Sequence, residues 1–146
     1  MGIKRSKLFR GAKGSAENVE FSATVNEDVS VGSILAFFPD GLFGQVRKAR
    51  VETNQVIGIS LEAAKQSQDT TVVQEGLTKV KMDAVPATGD NGKPVYLSQN
   101  TNGVASLTAP TASGNNVIKI GYLYGADGVT SIPDVVLGFQ FIVYLG

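Results

Sequence analysis

Val56-Ile57-Gly58-Ile59-Ser60-Leu61 and Ile118-Lys119-Ile120-Gly121-Tyr122-Leu123 are two short stretches in which apolar, often β-branched residues flank one glycine. Runs of this length and composition are typical of buried strands. The two glycines lie 63 positions apart, at 58 and 121. A strand motif that occurs twice predicts a β-rich fold in which one unit is repeated.

Two further pairs of segments repeat in the same order around this motif. Gly32 and Gly92 each open a short, largely apolar run and lie 60 positions apart. Asp69 and Asp134 each stand shortly before a Val-Val pair and lie 65 positions apart. A nearly constant offset predicts two related β units within one domain.

The remaining sequence predicts many short strands with frequent turns. Residues Glu20 to Val25 alternate between polar and apolar, as in a half-buried strand. The apolar run Ile34 to Phe38 ends at the turn Pro39-Asp40-Gly41, and Asn100 to Gly103 has the composition of a tight hairpin turn. Only Leu61 to Gln66 has good helix propensity, enough for one or two turns. We therefore expect an all-β fold, a compact β-barrel or sandwich of many short strands built from two related units.

The apolar positions of these strands predict the core. We expect its members to be Val31, Ile34, Val56, Ile57, Ile59, Leu61, Val72, Val80, Val95, Leu97, Val117, Ile120, Leu123, Val136 and Ile142.

The length of 146 residues predicts one domain preceded by an arm. We assign residues 1–18 to an extended basic arm and residues 19–146 to a single β domain. Within that domain the pseudo-repeats span about 29–84 and 89–146.

The composition excludes several classes of reactive site. The chain has no cysteine and no histidine, so it can form neither a disulfide framework, a thiolate zinc site nor a Ser-His-Asp triad. A phosphate-binding P-loop motif is absent, and the aspartates stand beside turn residues or at strand starts, where they commonly support the backbone. The sequence predicts a protein that is not an enzyme and that has no cofactor and no metal site.

The net charge of zero conceals an uneven distribution. Residues 1–14 carry five cationic side chains and no acid, which leaves eight Lys and Arg against 13 Asp and Glu in the rest of the chain. Such an arm is suited to contact with an acidic partner, although a solubilising start is the simpler alternative. We expect the partner-contacting residues to be Ile3, Lys4, Arg5, Lys7, Leu8, Phe9, Arg10 and Lys13.

Neither nucleic acid nor a membrane is an expected partner. Phe9 is the only aromatic residue of the arm, whereas nucleic-acid surfaces commonly add aromatic residues for stacking. A second basic cluster, at Arg47, Lys48 and Arg50, is more typical of a solvated edge strand protected by charge. No apolar run approaches the ~20 residues that a membrane-spanning helix needs.

The C-terminal run from Phe139 to Leu145 is more apolar than a strand with one solvated face requires. It is either buried on both faces or part of a subunit interface. We expect the interface, formed by Phe139, Phe141, Val143 and Tyr144.

The repeated segments resemble the small capsid decoration, or cement, proteins of tailed bacteriophages. Their pattern opens with G-D-x-V, passes through P-I-G-V-A, and returns with G-x-P-V-Y and I-G-x-A/L. The resemblance covers roughly residues 29–145, with Ser33 in place of the usual Asp and Gln55-Val56 in place of the usual proline. It rests on residues 31–35, 56–64, 72–76, 92–97 and 120–123.

This resemblance implies a structural role on a virion. Such proteins sit as trimers, or at threefold and quasi-threefold positions, on the outer surface of the head, where they clamp neighbouring major capsid protein subunits. We therefore expect a homo-oligomer, a trimer, that binds the major capsid protein. The basic arm is longer than in the simplest members, so its role is not carried over from them.

A carbohydrate- or host-surface-binding module of a phage head fibre or tail is the alternative function. In that case Phe37, Phe38, Phe43 and Tyr124 would stack on sugar rings. These aromatic residues would otherwise pack in the core or at a trimer contact.

Overall fold

The computed structural model describes residues 18–37, 45–52 and 55–146. These residues form an all-β fold, which confirms the predicted fold class. Among them the only helical turn is a 3₁₀ turn at Thr88–Asp90, and no helix is long and apolar enough to cross a bilayer. The described part of the chain has ten strands: β1 Val19–Val25, β2 Ile34–Phe37, β3 Gln45–Lys48, β4 Gly58–Ser60, β5 Asp69–Glu75, β6 Leu77–Lys79, β7 Pro94–Leu97, β8 Ala105–Ser106, β9 Asn116–Leu123 and β10 Asp134–Tyr144.

The first five strands close into a small barrel. Their order is β1-β3-β2-β4-β5, and β5 returns to pair with β1 in antiparallel orientation. The closing contact on the other side of β1 is a parallel pairing with β3. Val25, Leu35, Val46 and Val72 belong to the apolar cluster of this unit. Because every strand has two neighbours, the barrel has no free edge.

The last five strands form an open sheet in the order β6-β10-β9-β7-β8. Its apolar face shares a second core with the barrel, in which Val95 and Ile120 pack with Ile34 and Ile59. Consecutive residues of β2 serve the two cores, because side chains alternate across a strand: Ile34 lies in the shared core and Leu35 in the barrel cluster. This double burial explains why β2 is an uninterrupted apolar run.

Both units have the same strand order when β1–β5 are matched in sequence with β6–β10. They differ in the first strand. The seven residues of β1 pair with β3 and β5, whereas the three residues of β6 pair with β10 alone among the described strands. The chain passes from β5 to β6 at Gly76, whose φ of 108° is in a region that favours glycine. The predicted boundaries of the domain and its repeats stay predictions.

Most of the predicted core residues are buried, but three are exposed. Leu61, Val136 and Ile142 are 43–45% exposed, so the prediction was wrong for them. Val136 lies on the outer face of the open sheet, and Ile142 lies beyond the point where β6 ends. Val31 and Val56 are partly buried.

The one or two helical turns expected at Leu61 to Gln66 do not form. Ala64 instead makes an antiparallel bridge with Val29, with N···O distances of 2.9 and 3.1 Å. These hydrogen bonds use the Ala64 backbone N–H and C=O that a helix would need.

Candidate interaction surfaces

The last seven residues of β10, Gly138–Tyr144, have one strand edge that is unpaired within the described residues, which we call the β10 edge. On one side they pair with β9. On the other side β6 reaches only Val136, and one more hydrogen bond runs from Leu137 N to Gly76 O at 2.9 Å. No other described strand pairs with Gly138–Tyr144. As far as the described residues go, backbone groups along this edge are available to a further strand.

Both faces of the same strand end are apolar and exposed. Val143 and Tyr144 pair in regular register with Val117 and Asn116, so their side chains project from opposite faces of the sheet. Val143 is 45% exposed and Tyr144 57% exposed. Phe141, also proposed for an oligomer interface, is exposed as well. Phe139 differs from these residues, because it is partly buried and packs against the shared core.

A further exposed aromatic residue of the open sheet lies on β9. Tyr122 is 46% exposed and lies opposite Val136 on one side and Pro94 on the other. The ammonium group of Lys119 donates a hydrogen bond to the Tyr122 hydroxyl at 2.7 Å and stands 4.4 Å from the ring centroid. The sequence does not indicate the surroundings of Tyr122, because only the strand register places Val136 and Pro94 beside it.

The eight arm residues proposed to contact a partner lie outside the described residues. The first described residue, Asn18, packs against Gly76, the crossing between the two units. Because Gly76 accepts the hydrogen bond from Leu137, the arm joins the body where the β10 edge begins. The residues in question are Ile3, Lys4, Arg5, Lys7, Leu8, Phe9, Arg10 and Lys13.

The aromatic residues considered for sugar stacking are not assembled into one described site. Phe37 is 51% exposed at the end of β2 in the barrel, and Tyr124 is exposed just after β9 in the open sheet. Phe38 and Phe43 lie outside the described residues. The two described rings thus belong to different sheets.

The basic cluster on β3 is not on an edge strand, contrary to the expectation from sequence. β3 lies between β1 and β2 in the closed barrel. Glu27 engages the cluster: its carboxylate accepts a hydrogen bond from Lys48 N at 2.9 Å and lies 3.5 Å from Arg50 Nη1. The parallel closure of the barrel was not readable from the local charge pattern.

Several carboxylates of the body have structural partners. Asp69 accepts a hydrogen bond from the Thr24 hydroxyl at 2.7 Å and thereby links β5 to β1. Asp134 stands 3.6 Å from Lys79 across the pairing of β10 with β6. No group of three or more metal-ligating side chains that could hold an ion occurs among the described residues.

One cleft of about 340 Å³ includes Asp83 and Asp90 in its lining. The Asp90 carboxylate accepts hydrogen bonds from Lys93 Nζ at 2.8 Å and from Ala87 N at 2.9 Å. Both hydrogen bonds lower the pKa of Asp90 below its ordinary value, and the bond from Lys93 has the larger effect. Asp90 is thus ionised at neutral pH and stabilises its own loop.

Comparison with solved structures finds a similar fold in a phage protein. The crystal structure of the head fiber gp8.5 N base of bacteriophage phi29 superposes with a TM-score of 0.56 and 17% sequence identity. The match covers 87% of this chain and 99% of that one. At this identity the likeness concerns the fold. No family model and no curated protein sequence matches the chain.

Proposed function

We propose that this protein is a non-enzymatic structural component of a bacteriophage head, which binds its outer surface and stabilises contacts between major capsid protein subunits. The observation that carries the proposal is the fold shared with the N base of a phage head fiber, over almost the whole of that chain. The resemblance of the repeated segments to decoration proteins supports the same role from the sequence.

The strand end of β10 supports assembly into a ring of three copies. A twofold contact uses one patch on each subunit, whereas in a ring every subunit has two different neighbours. Val143 and Tyr144 place apolar surface on opposite faces of one strand end, and two neighbours would cover both faces. Phe141 enlarges this surface, and Phe139 contributes through the part of its side chain that the core leaves uncovered.

The basic arm supplies the contact with the capsid in this proposal. Residues 1–14 carry five cations and no acid, so an acidic surface on a partner would attract the arm. Charge would accelerate the encounter, and Ile3, Leu8 and Phe9 would supply apolar anchors. Three arms on one trimer bind more tightly than one, because the second and third contacts are intramolecular.

The experiment that tests this proposal uses purified phage heads that lack the protein. The wild-type chain is added back, and binding is measured by cosedimentation, with heat-induced release of the genome as the functional readout. We expect saturable binding and a higher release temperature. Val129→Ser, on an exposed loop, serves as the matched control and should behave like wild type. Binding without any shift in release would contradict the stabilising role.

A head-fibre module that binds carbohydrate or a host surface is the second candidate. The observation that favours it is the likeness to a head fiber base, together with the exposed ring of Tyr124. A glycan array with the wild-type protein tests this candidate, and Tyr124→Ala should abolish any signal that depends on stacking. An array without signal removes it.

A further inference from the structure

The β10 edge lacks the features that normally protect a strand edge. Residues 135–146 contain no charged side chain and no proline. Natural edges are commonly protected by such residues or by a covering segment, because an unpaired row of N–H and C=O groups recruits other strands. The edge is uncharged and has the exposed residues Phe141 and Val143 beside it. We therefore expect a covering segment to protect it.

The equivalent position in the barrel shows what such a cover looks like. There β1 pairs with β5 from Val19–Glu75 to Thr24–Asp69. In the open sheet β6 pairs with β10 at three positions only, from Leu77–Val136 to Lys79–Asp134. The reason is connectivity: the residues that precede β6 are those of β5, which belong to the barrel. No described segment continues the line of β6 along Gly138–Tyr144.

The arm joins the body of the protein at the start of the β10 edge. Asn18 packs against Gly76, and Gly76 O accepts the hydrogen bond from Leu137 N, the residue just before the β10 edge. Seven residues of strand span about 23 Å at roughly 3.3 Å per residue. Residues 11–17 are thus long enough to run along the whole edge, and in the direction of β6 they would be antiparallel to β10.

We infer that residues 11–17 pair with the β10 edge of the same chain as an additional antiparallel strand, in line with β6. Their sequence, Gly-Ala-Lys-Gly-Ser-Ala-Glu, consists mainly of small residues. Such a strand satisfies the backbone of the edge and leaves the faces around Val143 and Tyr144 open. Lys13 and Glu17 would then place charges on the new outer edge. This inference rests on the body of the protein and does not depend on the proposed role on a capsid.

Disulfide trapping in the full-length chain tests the pairing, since the natural chain has no cysteine. Gln140→Cys is combined in turn with Gly14→Cys, Ser15→Cys and Ala16→Cys, and each protein is oxidised under mild conditions. Lys79→Cys with Asp134→Cys, a described cross-strand pair, is the positive control. Gln66→Cys with Gln140→Cys is the negative control, because Gln66 lies in an exposed turn before β5 of the barrel.

The expected result is an intrachain disulfide in at least one of the three arm pairs, identified by peptide mapping, at a rate near that of the positive control. Bonds between chains would mean that a neighbouring copy covers the edge, and would overturn the inference. Rates no higher than those of the negative control would overturn it too.

Hydrogen exchange on chains without cysteine gives a second readout. We expect Ser15→Pro, which removes a backbone donor, to speed amide exchange in Gly138–Tyr144 by about tenfold or more, whereas Ser15→Ala leaves it unchanged. Equal exchange in both variants would contradict the pairing. Neither readout uses phage heads, so a failure here is distinct from a failure of head binding.

Discussion

At Gly121 a side chain of any size would collide with the neighbouring strand. A Cβ built there overlaps the carbonyl oxygen of Val136 on β10. Gly58 on β4 is enclosed in the same way by Val72 and Val73 of β5. The glycine of each repeated motif therefore allows close approach of a strand in its own sheet.

Gly121→Ala should lower the free energy of unfolding by roughly 1–3 kcal/mol, the usual cost of overpacking. Chemical denaturation measures the change. Gly138→Ala in β10 is the matched control, because a Cβ there meets open space. Equal stabilities of the two variants would show that β9 and β10 can separate without cost at Gly121.

Asp127 holds the loop before β10 by accepting hydrogen bonds from Thr130 N and Val129 N, both at 2.9 Å. Both hydrogen bonds lower the pKa of Asp127 below its ordinary value of 3.8, and the bond from Thr130 has the larger effect. Because the folded-state pKa is the lower one, the stabilisation is complete above the unfolded-state value near 3.8 and is lost as the pH falls through the folded-state value.

Asp127→Asn keeps an acceptor oxygen but cannot titrate, so its melting temperature should fall less than that of wild type between pH 5 and pH 2. Circular dichroism at a series of pH values measures both. Asp127→Ala separates the loss of the acceptor oxygen from the loss of the titrating group. It should be less stable than Asp127→Asn at pH 6, and like Asp127→Asn it has no group at this site that responds to acid. A parallel decline of wild type and Asp127→Asn would exclude the linkage.

At the scale of elements, the difference between β1 and β6 determines where the molecule can make contacts. The long β1 closes the barrel, and the short β6 leaves most of β10 with one neighbour among the described strands. The apolar excess of residues 139–145 was readable from the sequence, but its position beyond the end of β6 was not. Ile142 was assigned to the core because period-2 alternation does not indicate where the neighbouring strand ends.

Val143→Ser and Tyr144→Ser should each weaken self-association, because the proposed ring would bury both faces of β10. We expect the concentration at which half of the oligomer dissociates to rise on the order of tenfold in each variant. Analytical ultracentrifugation measures this, and thermal melting should show an intact fold. If only one of the two variants dissociates, a twofold contact is the better description.

For the whole molecule, local sequence pattern predicted which segments form strands. It did not predict which strands lie next to each other. The strands of both units and most of their buried residues follow from apolar runs and turns. The parallel contact of β1 with β3 brings distant segments together, so nothing in the Arg47 to Arg50 region could indicate that β3 is enclosed. Likewise, only the strand register shows that Tyr122 lies beside Val136.

The uneven charge of the chain leads to a prediction about capsid binding. Replacing Lys4, Arg5, Lys7, Arg10 and Lys13 by Gln should slow association with heads on the order of tenfold or more at low salt, and flatten its salt dependence. Surface plasmon resonance on immobilised heads measures both rates. Unchanged association would assign the contact to the body, and an unchanged melting temperature serves as the control for folding.

Within the described residues the open sheet has one unpaired side, and this limits how molecules with that side uncovered can associate. Its opposite margin, β8, is occupied: Ala105 N donates to Lys81 O at 2.8 Å, and Asp83 N donates to Ala105 O at 2.9 Å. A fibre that grows by sheet extension needs two unpaired sheet edges on every subunit, and the described part of this chain has one. Two molecules that meet there block each other, so growth ends at a pair instead of continuing into amyloid-like filaments.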